Sequence, residues 1–185
     1  MNKKQGISVR TVVAIGIGTA IFFVLMRYIP IPTGVPDTNI NLAYGFLALM
    51  GAIFGPVAGG LIAFLGHMFN DLTWGEPWWT WIVADGICGV LFGLTRKYLN
   101  IENGDLTKRK LVFFNIYQVI ISIVVWGIIA PTGDVLVYSE PASKVYLQGI
   151  TSVICNALSV GILGTILLVA YARTRSKKGS LKKES

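Results

Sequence analysis

Long apolar stretches at about 11–29, 42–69, 79–95, 111–130 and 146–172 constrain this chain more than any other feature. A helix needs roughly 20 mainly apolar residues to cross about 30 Å of hydrocarbon. Soluble domains carry about 25% charged residues, whereas this chain has 14% and is 54% hydrophobic. The pattern predicts an all-α integral membrane protein. Its 185 residues allow one domain, 1–185, with a core over about 8–174 and a basic tail over about 173–185.

The second stretch is long enough for one span or two short ones, and Gly55-Pro56 in its middle is a turn signal and a helix breaker. Charge separates the two options, because Lys and Arg favour the cytoplasmic side of short loops. Six spans with both termini cytoplasmic put fourteen basic residues inside and only Arg27 and Lys144 outside. Five spans would expose the 96–110 loop and the tail, with eleven basic residues between them. Six spans is therefore the expected arrangement. It leaves 43–54 as a helix of only about 18 Å at 1.5 Å per residue. The preceding segment, 30–42, must then dip into the outer half. Irregular backbone at that depth is tolerated where it is buried in protein or lines a cavity. The expectation is an outward-facing pocket roofed by the short second helix and its loops.

Basic residues at the ends of apolar runs explain the net charge of +7 without a nucleic-acid partner. Cys88 and Cys155 lie within spans and form no metal or disulfide spacing. The basic N-terminus leads into an apolar run that ends in "MRYIPIP", which reads as a retained first span rather than a cleaved signal. No Walker A loop is present, and neither a channel filter nor a duplicated transporter half is recognisable. No cofactor is implied.

Polar and aromatic residues gather toward the outer side. "GHMFNDLTWGEPWWTW" (66–81) holds the only histidine and four of the five tryptophans. His67, Asn70 and Asp71 share a helix face, and ionisable groups inside membrane segments usually face the bundle interior. They are candidates for binding a polar ligand, or for bonding each other. His67 and Asp71 lack a third partner at metal-ligand spacing, so no metal is expected. Trp74, Trp78, Trp79 and Trp81 are candidates of which at least one stacks on a flat ligand, against the simpler reading of an interfacial belt, and Trp74, Trp78 and Trp79 are the expected site residues among them. A helix starting at Pro77 puts Trp78 and Trp81 on one face. Asp85 sits within the fourth span. Asn39, Asn41 and Tyr44 belong to the dipping segment and the helix after it. Tyr138 and Glu140 fall in an outer loop expected over 131–145. Asn115, Gln118 and Asn156 are expected to bond between helices. In the first span, Ala14/Gly18 and Gly16/Ala20 are small-xxx-small pairs that permit close helix approach, within the bundle or against a partner.

These residues resemble a family. "VVAIGIGTAIFFVL", "IPTGVPDTNI", "YGFLALMGAIFGPVAG", "GEPWWTWIVADGICG", "IAPTGDVLVYSEPASKVYLQGI" and "LLVAYARTR" are similar to the S components of energy-coupling factor (ECF) vitamin transporters, within the UPF0397 riboflavin-type group. The resemblance implies six helices holding one vitamin-like molecule near the outer surface of a prokaryotic cell membrane. It also implies docking on a transmembrane coupling (T) component driven by two ATPase subunits. The family's Ala-x-x-x-Ala docking motif corresponds to Ala14 and Gly18. The group label implies riboflavin, with cobalamin or another precursor as alternatives. A membrane enzyme acting on a lipid-borne substrate, with His67 and Asp71 as acid and base, is the rival reading from another class. A ligandless scaffold would have its outer polar groups mutually satisfied.

Overall fold

The computed structural model describes residues 8–175. Lys3, Lys4 and the tail beyond 175, which carry six of the basic residues counted above, lie outside the described residues. The chain is helical almost throughout. In order come α1 (Val9–Tyr28), a two-residue antiparallel ribbon of β1 (Ile31–Pro32) and β2 (Asn39–Ile40), α2 (Ala43–Phe54), α3 (Pro56–Leu72), α4 (Trp79–Leu94) and the short α5 (Arg96–Leu99). Two long rods follow. Lys108–Tyr138 contains α6 (Lys108–Val124), a π-helical turn (Val125–Ile129) and α7 (Ala130–Tyr138). Ala142–Arg173 contains α8 (Ala142–Ser159), a π-helical turn (Val160–Gly164) and α9 (Thr165–Arg173).

Three helical rods among the described residues, Val9–Tyr28, Lys108–Tyr138 and Ala142–Arg173, are long and apolar enough to cross a membrane by themselves. Their outer faces carry Val12, Ile17, Val24, Ile116, Ile123, Ile150 and Ile162, all well exposed. Exposed aliphatic stripes of this extent are costly in water and expected against lipid.

Gly55 ends α2 and starts α3. Its φ of +89° lies where L side chains rarely go, and Pro56 supplies the first turn of α3 without losing a useful N–H. The expected break, and the twelve-residue helix before it, are both present. α3 and α4 form the tightest pair of the bundle. A Cβ on Gly89 would run into the Gly59 carbonyl, so the two backbones touch where larger residues would hold them apart.

The expected outer loop over 131–145 is corrected. α7 continues the preceding rod to Tyr138, and only 139–141 separate it from α8. The Pro131-Thr132-Gly133 run reads as a breaker in sequence. In three dimensions the π-helical turn just before Pro131 resets the hydrogen-bond register, so a residue without an N–H is accommodated.

The two ends of the bundle differ in chemistry. One carries the termini of the described chain and the Gly55 turn. There Glu102 pairs with Arg10 (3.1 Å) and Arg96 (2.8 Å), and Arg10 also lies over Phe54. The other, aromatic end carries Tyr28, the 73–78 loop, the start of α4 and the α7–α8 corner. Arg27 stacks on Trp74 there, 3.8 Å from the ring centre.

The segment between α1 and α2 is tied along α8 by side chains of that helix. Gln148 Nε2 donates to the Pro36 carbonyl (3.1 Å), and Ser159 Oγ donates to the Asn41 carbonyl (2.8 Å). Side chains of α8 thus satisfy backbone carbonyls that no helix satisfies, the condition for irregular backbone at this depth.

Candidate functional site

Two buried carboxylates organise the interior toward the aromatic end. Asp85, fully buried on α4, accepts from Tyr44 Oη (2.9 Å), His67 Nδ1 (2.8 Å) and Trp126 Nε1 (2.9 Å). These donors come from α2, α3 and the π-helical turn after α6, so one side chain ties four elements together. A buried carboxylate is costly unless fully hydrogen-bonded, and three donors meet that requirement. His67 continues the chain, with Nε2 3.3 Å from Asp71 Oδ1. His67 thus bridges the two carboxylates, with Nδ1 toward Asp85 and Nε2 toward Asp71.

Asp134 on α7 is the second centre, only 2% exposed. It accepts from the indoles of Trp78 (2.8 Å) and Trp81 (2.7 Å), and in a very short contact from Thr80 Oγ1. These side-chain partners are all neutral. The Trp78 ring lies 4.6 Å from that of Tyr138, whose hydroxyl accepts from the Trp79 backbone N–H (3.1 Å). Asp71 Oδ2 accepts from the Trp78 backbone N–H (3.0 Å), clamping the 73–78 loop to α3.

The expected residues accordingly separate into groups. His67, Asp71, Asp85 and Tyr44 form one connected network, and Asn70 joins it by donating to Asp71 (3.2 Å). Trp78 and Tyr138 belong to the Asp134 cluster, and the shared face expected for Trp78 and Trp81 is realised in their common acceptor. Trp79 packs toward Phe64 and Trp74 toward Arg27, both at the periphery. Glu140 pairs with Lys144 (2.8 Å). Asn39 is exposed, and Asn41 is buried but occupied in accepting from the Ala43 N–H that opens α2 (3.0 Å). The polar groups bond one another where the sequence led us to expect a hollow. Grooves of about 520 Å³ and 450 Å³ instead lie along helix flanks, the first against α6 and the second between α1 and α3.

Asp134, Thr80 and Trp126 are site residues that sequence reasoning misses, and Trp81 is legible there only through the face it shares with Trp78. Asp134 was hidden by the loop assignment. Trp126 had a usable signal: a lone Trp in an apolar run must find an acceptor for its N–H when buried.

The first-helix pairs also resolve. Ala14 is 8% exposed and Gly18 faces Ile62 and Met50, so both pack inside the bundle. A Cβ on Gly16 would meet nothing within 4 Å, and Ala20 is exposed. The outward-facing pair is Gly16/Ala20. Between helices, Asn115 donates to Thr165 (3.0 Å) and Gln118 to the Ala157 carbonyl (3.2 Å), as expected. Asn156 differs: its Oδ1 is buried with no partner among the described residues.

Comparison with known proteins identifies the family. The family profile described as "ECF-type riboflavin transporter, S component" matches residues 6–173. A UPF0397 protein of Lactiplantibacillus plantarum is 60% identical over 185 residues, covering all of both chains. UPF0397 proteins of Leuconostoc citreum and Staphylococcus aureus (strain Newman) are each 54% identical over 183 residues, covering 98% of this chain and 97% and 100% of theirs. Mutually bonded polar groups are what a ligandless scaffold would show, but these matches set that reading aside, together with the reading of His67 and Asp71 as the acid and base of a lipid enzyme. The chain belongs to the family of ECF-type transporter S components, as a multi-pass subunit of a prokaryotic plasma membrane and not an enzyme.

Proposed function

We propose that this S component captures a vitamin-like micronutrient at its aromatic end, which faces the outside, for uptake driven by a T component and two ATPase subunits. The chain crosses the membrane six times with both termini in the cytoplasm. The observation that carries this reading is the junction of α4 and α7, where Trp78 and Trp81 donate to the buried Asp134 and the Tyr138 ring packs on Trp78. Indole and phenol rings beside a carboxylate offer a stacking face and hydrogen-bond acceptors together, the combination a flat polar ring needs. Asp134 holds this junction shut through neutral donors, and the cargo replaces some of them on entry. Riboflavin is the first candidate, from the family description; cobalamin and thiamine precursors are the alternatives.

The T component docks on the face of α1 that carries Gly16 and Ala20. Small residues there allow a partner helix to approach closely, and Ala14 and Gly18 are consumed by internal packing. The experiment is titration of the detergent-purified protein with riboflavin, cyanocobalamin and thiamine, read by quenching of its tryptophan fluorescence. Saturable quenching by one of the three is expected, and reduced by Trp78→Ala. Absence of saturable binding across the panel sinks the capture reading.

A further inference from the structure

The basic end of the bundle neutralises only part of its charge. Glu102 takes Arg10 and Arg96, Asp105 takes Lys110 (2.7 Å), and the Glu102 carbonyl accepts from Arg175 Nε (3.3 Å). Lys108 and Arg109, the first two residues of α6, are treated differently. Both are exposed, and neither side chain has a hydrogen bond or an ion pair among the described residues.

Below them runs the groove of about 520 Å³ along α6, lined by Leu111, Val112, Asn115, Ile116, Val119 and Ile120. Helical spacing sets the two cations at its head. Lys108 precedes Leu111, Val112 and Asn115 by three, four and seven residues, and Arg109 precedes Val112 and Ile116 by three and seven. The polar side chain among the six, Asn115, is already engaged, donating to the Leu111 carbonyl (3.0 Å) and to Thr165 (3.0 Å). What remains is aliphatic, with Val112, Ile116 and Ile120 well exposed. From Leu111 to Ile120 the groove runs about 14 Å at 1.5 Å per residue, close to half of a hydrocarbon core about 30 Å thick. Its length is that of one leaflet. α1 packs on α2 and α3, whereas α6 packs on α4, α5 and α8. A partner helix seated on Gly16 and Ala20 therefore leaves this flank to lipid.

We propose that the groove seats an acyl chain of an anionic phospholipid whose phosphate lies between Lys108 and Arg109. Arginine offers a planar fork to two phosphate oxygens, and lysine a mobile point charge. Cations at a membrane surface attract anionic lipids, and two that no carboxylate neutralises, standing over a groove of acyl length, make that attraction local. A zwitterionic lipid brings its own cation to the same place and gains less. An acidic protein segment satisfies the cations but leaves the aliphatic groove below them unfilled. The site is independent of the cargo, and the proposed topology supplies only the leaflet, the cytoplasmic one.

The test uses the full-length protein in detergent, freed of co-purified lipid. Phosphatidylglycerol and phosphatidylcholine with identical chains are added in turn, and bound lipid is counted by native mass spectrometry. The wild type retains phosphatidylglycerol about 25-fold more tightly, about fivefold for each cation. Lys108→Gln or Arg109→Gln lowers that preference about fivefold, and the double variant abolishes it, with the lipid-free unfolding midpoint unchanged because both side chains are free. Lys97→Gln, which removes an exposed charge on α5, leaves the preference intact. Val119→Trp, which fills the groove from an exposed position, weakens retention of both lipids. Equal retention of the two lipids by the wild type overturns the proposal, as does a preference that survives the double variant. So does an equal fall in Lys97→Gln, which makes the preference a property of the whole basic end. Unchanged retention in Val119→Trp overturns it too, and if that variant instead loses co-purification of the T component, the groove is a protein contact. No vitamin is present in this assay and no bilayer fixes an orientation, so failure of the capture reading or of the topology leaves its result standing.

Discussion

Replacing Asp85 tests whether one carboxylate holds the interior together. Its Oδ2 takes Tyr44 and His67, and its Oδ1 takes Trp126. In Asp85→Asn one acceptor oxygen survives. If it faces Tyr44 and His67, the Trp126 N–H meets an amide NH₂ and is orphaned. A buried orphaned donor costs about 1–3 kcal/mol, and the lost charge assistance to the remaining bonds adds about 1 kcal/mol. The sum is about 2–4 kcal/mol, a midpoint shift of roughly 5–15 °C for a chain of this size. In Asp85→Leu all three donors lose their partner, at about 3–9 kcal/mol, comparable with the whole stability of an ordinary domain. Asn should therefore yield a folded but weakened protein, and Leu a chain that does not purify folded. Cys88 and Cys155 are both buried and free, so a thiol-reactive fluorophore reports unfolding of the detergent-solubilised protein on heating. Adding Trp126→Phe to Asp85→Asn removes the orphaned donor, and should restore about 1–3 kcal/mol beyond additivity. An Asp85→Asn midpoint within about 2 °C of the wild type, less than 1 kcal/mol, would refute the reasoning, as would strict additivity of the pair.

Asp134→Ala should cost less, about 1–3 kcal/mol, because the half-exposed Trp78 can turn to water; a red shift of tryptophan emission checks the release of its indoles. Gly89→Leu should prevent the close contact of α3 and α4 and lower the unfolding midpoint sharply, by overpacking worth about 1–3 kcal/mol or more. Gly16→Leu should leave the midpoint unchanged yet reduce co-purification of the T component, since that position meets nothing inside the bundle.

Several features are legible in the sequence. Gly55-Pro56 announced a helix break because one residue tolerates positive φ and the other cannot donate a hydrogen bond. The short second helix then forced the preceding segment inward, and α8 does meet it there through Gln148 and Ser159. The grouping of His67, Asn70 and Asp71 followed from helical spacing alone. The loop over 131–145 went the other way. Pro131 and Gly133 carry breaker chemistry locally, but a π-helical turn, which has no composition signature, absorbed it.

The sequence by itself determined the membrane class, the helix break and the segregation of basic from aromatic residues, because each depends on composition or on spacing along one segment. Only the tertiary structure decided which polar groups pair. Asp134 gathers Trp78 and Trp81 from more than fifty residues away, Asp85 reaches Trp126 across forty-one, and the outward pair on α1 is Gly16/Ala20 rather than Ala14/Gly18. The physical reason is that a hydrogen bond or a helix contact depends on the rotation of two helices relative to each other, and that rotation is fixed by the packing of the whole bundle.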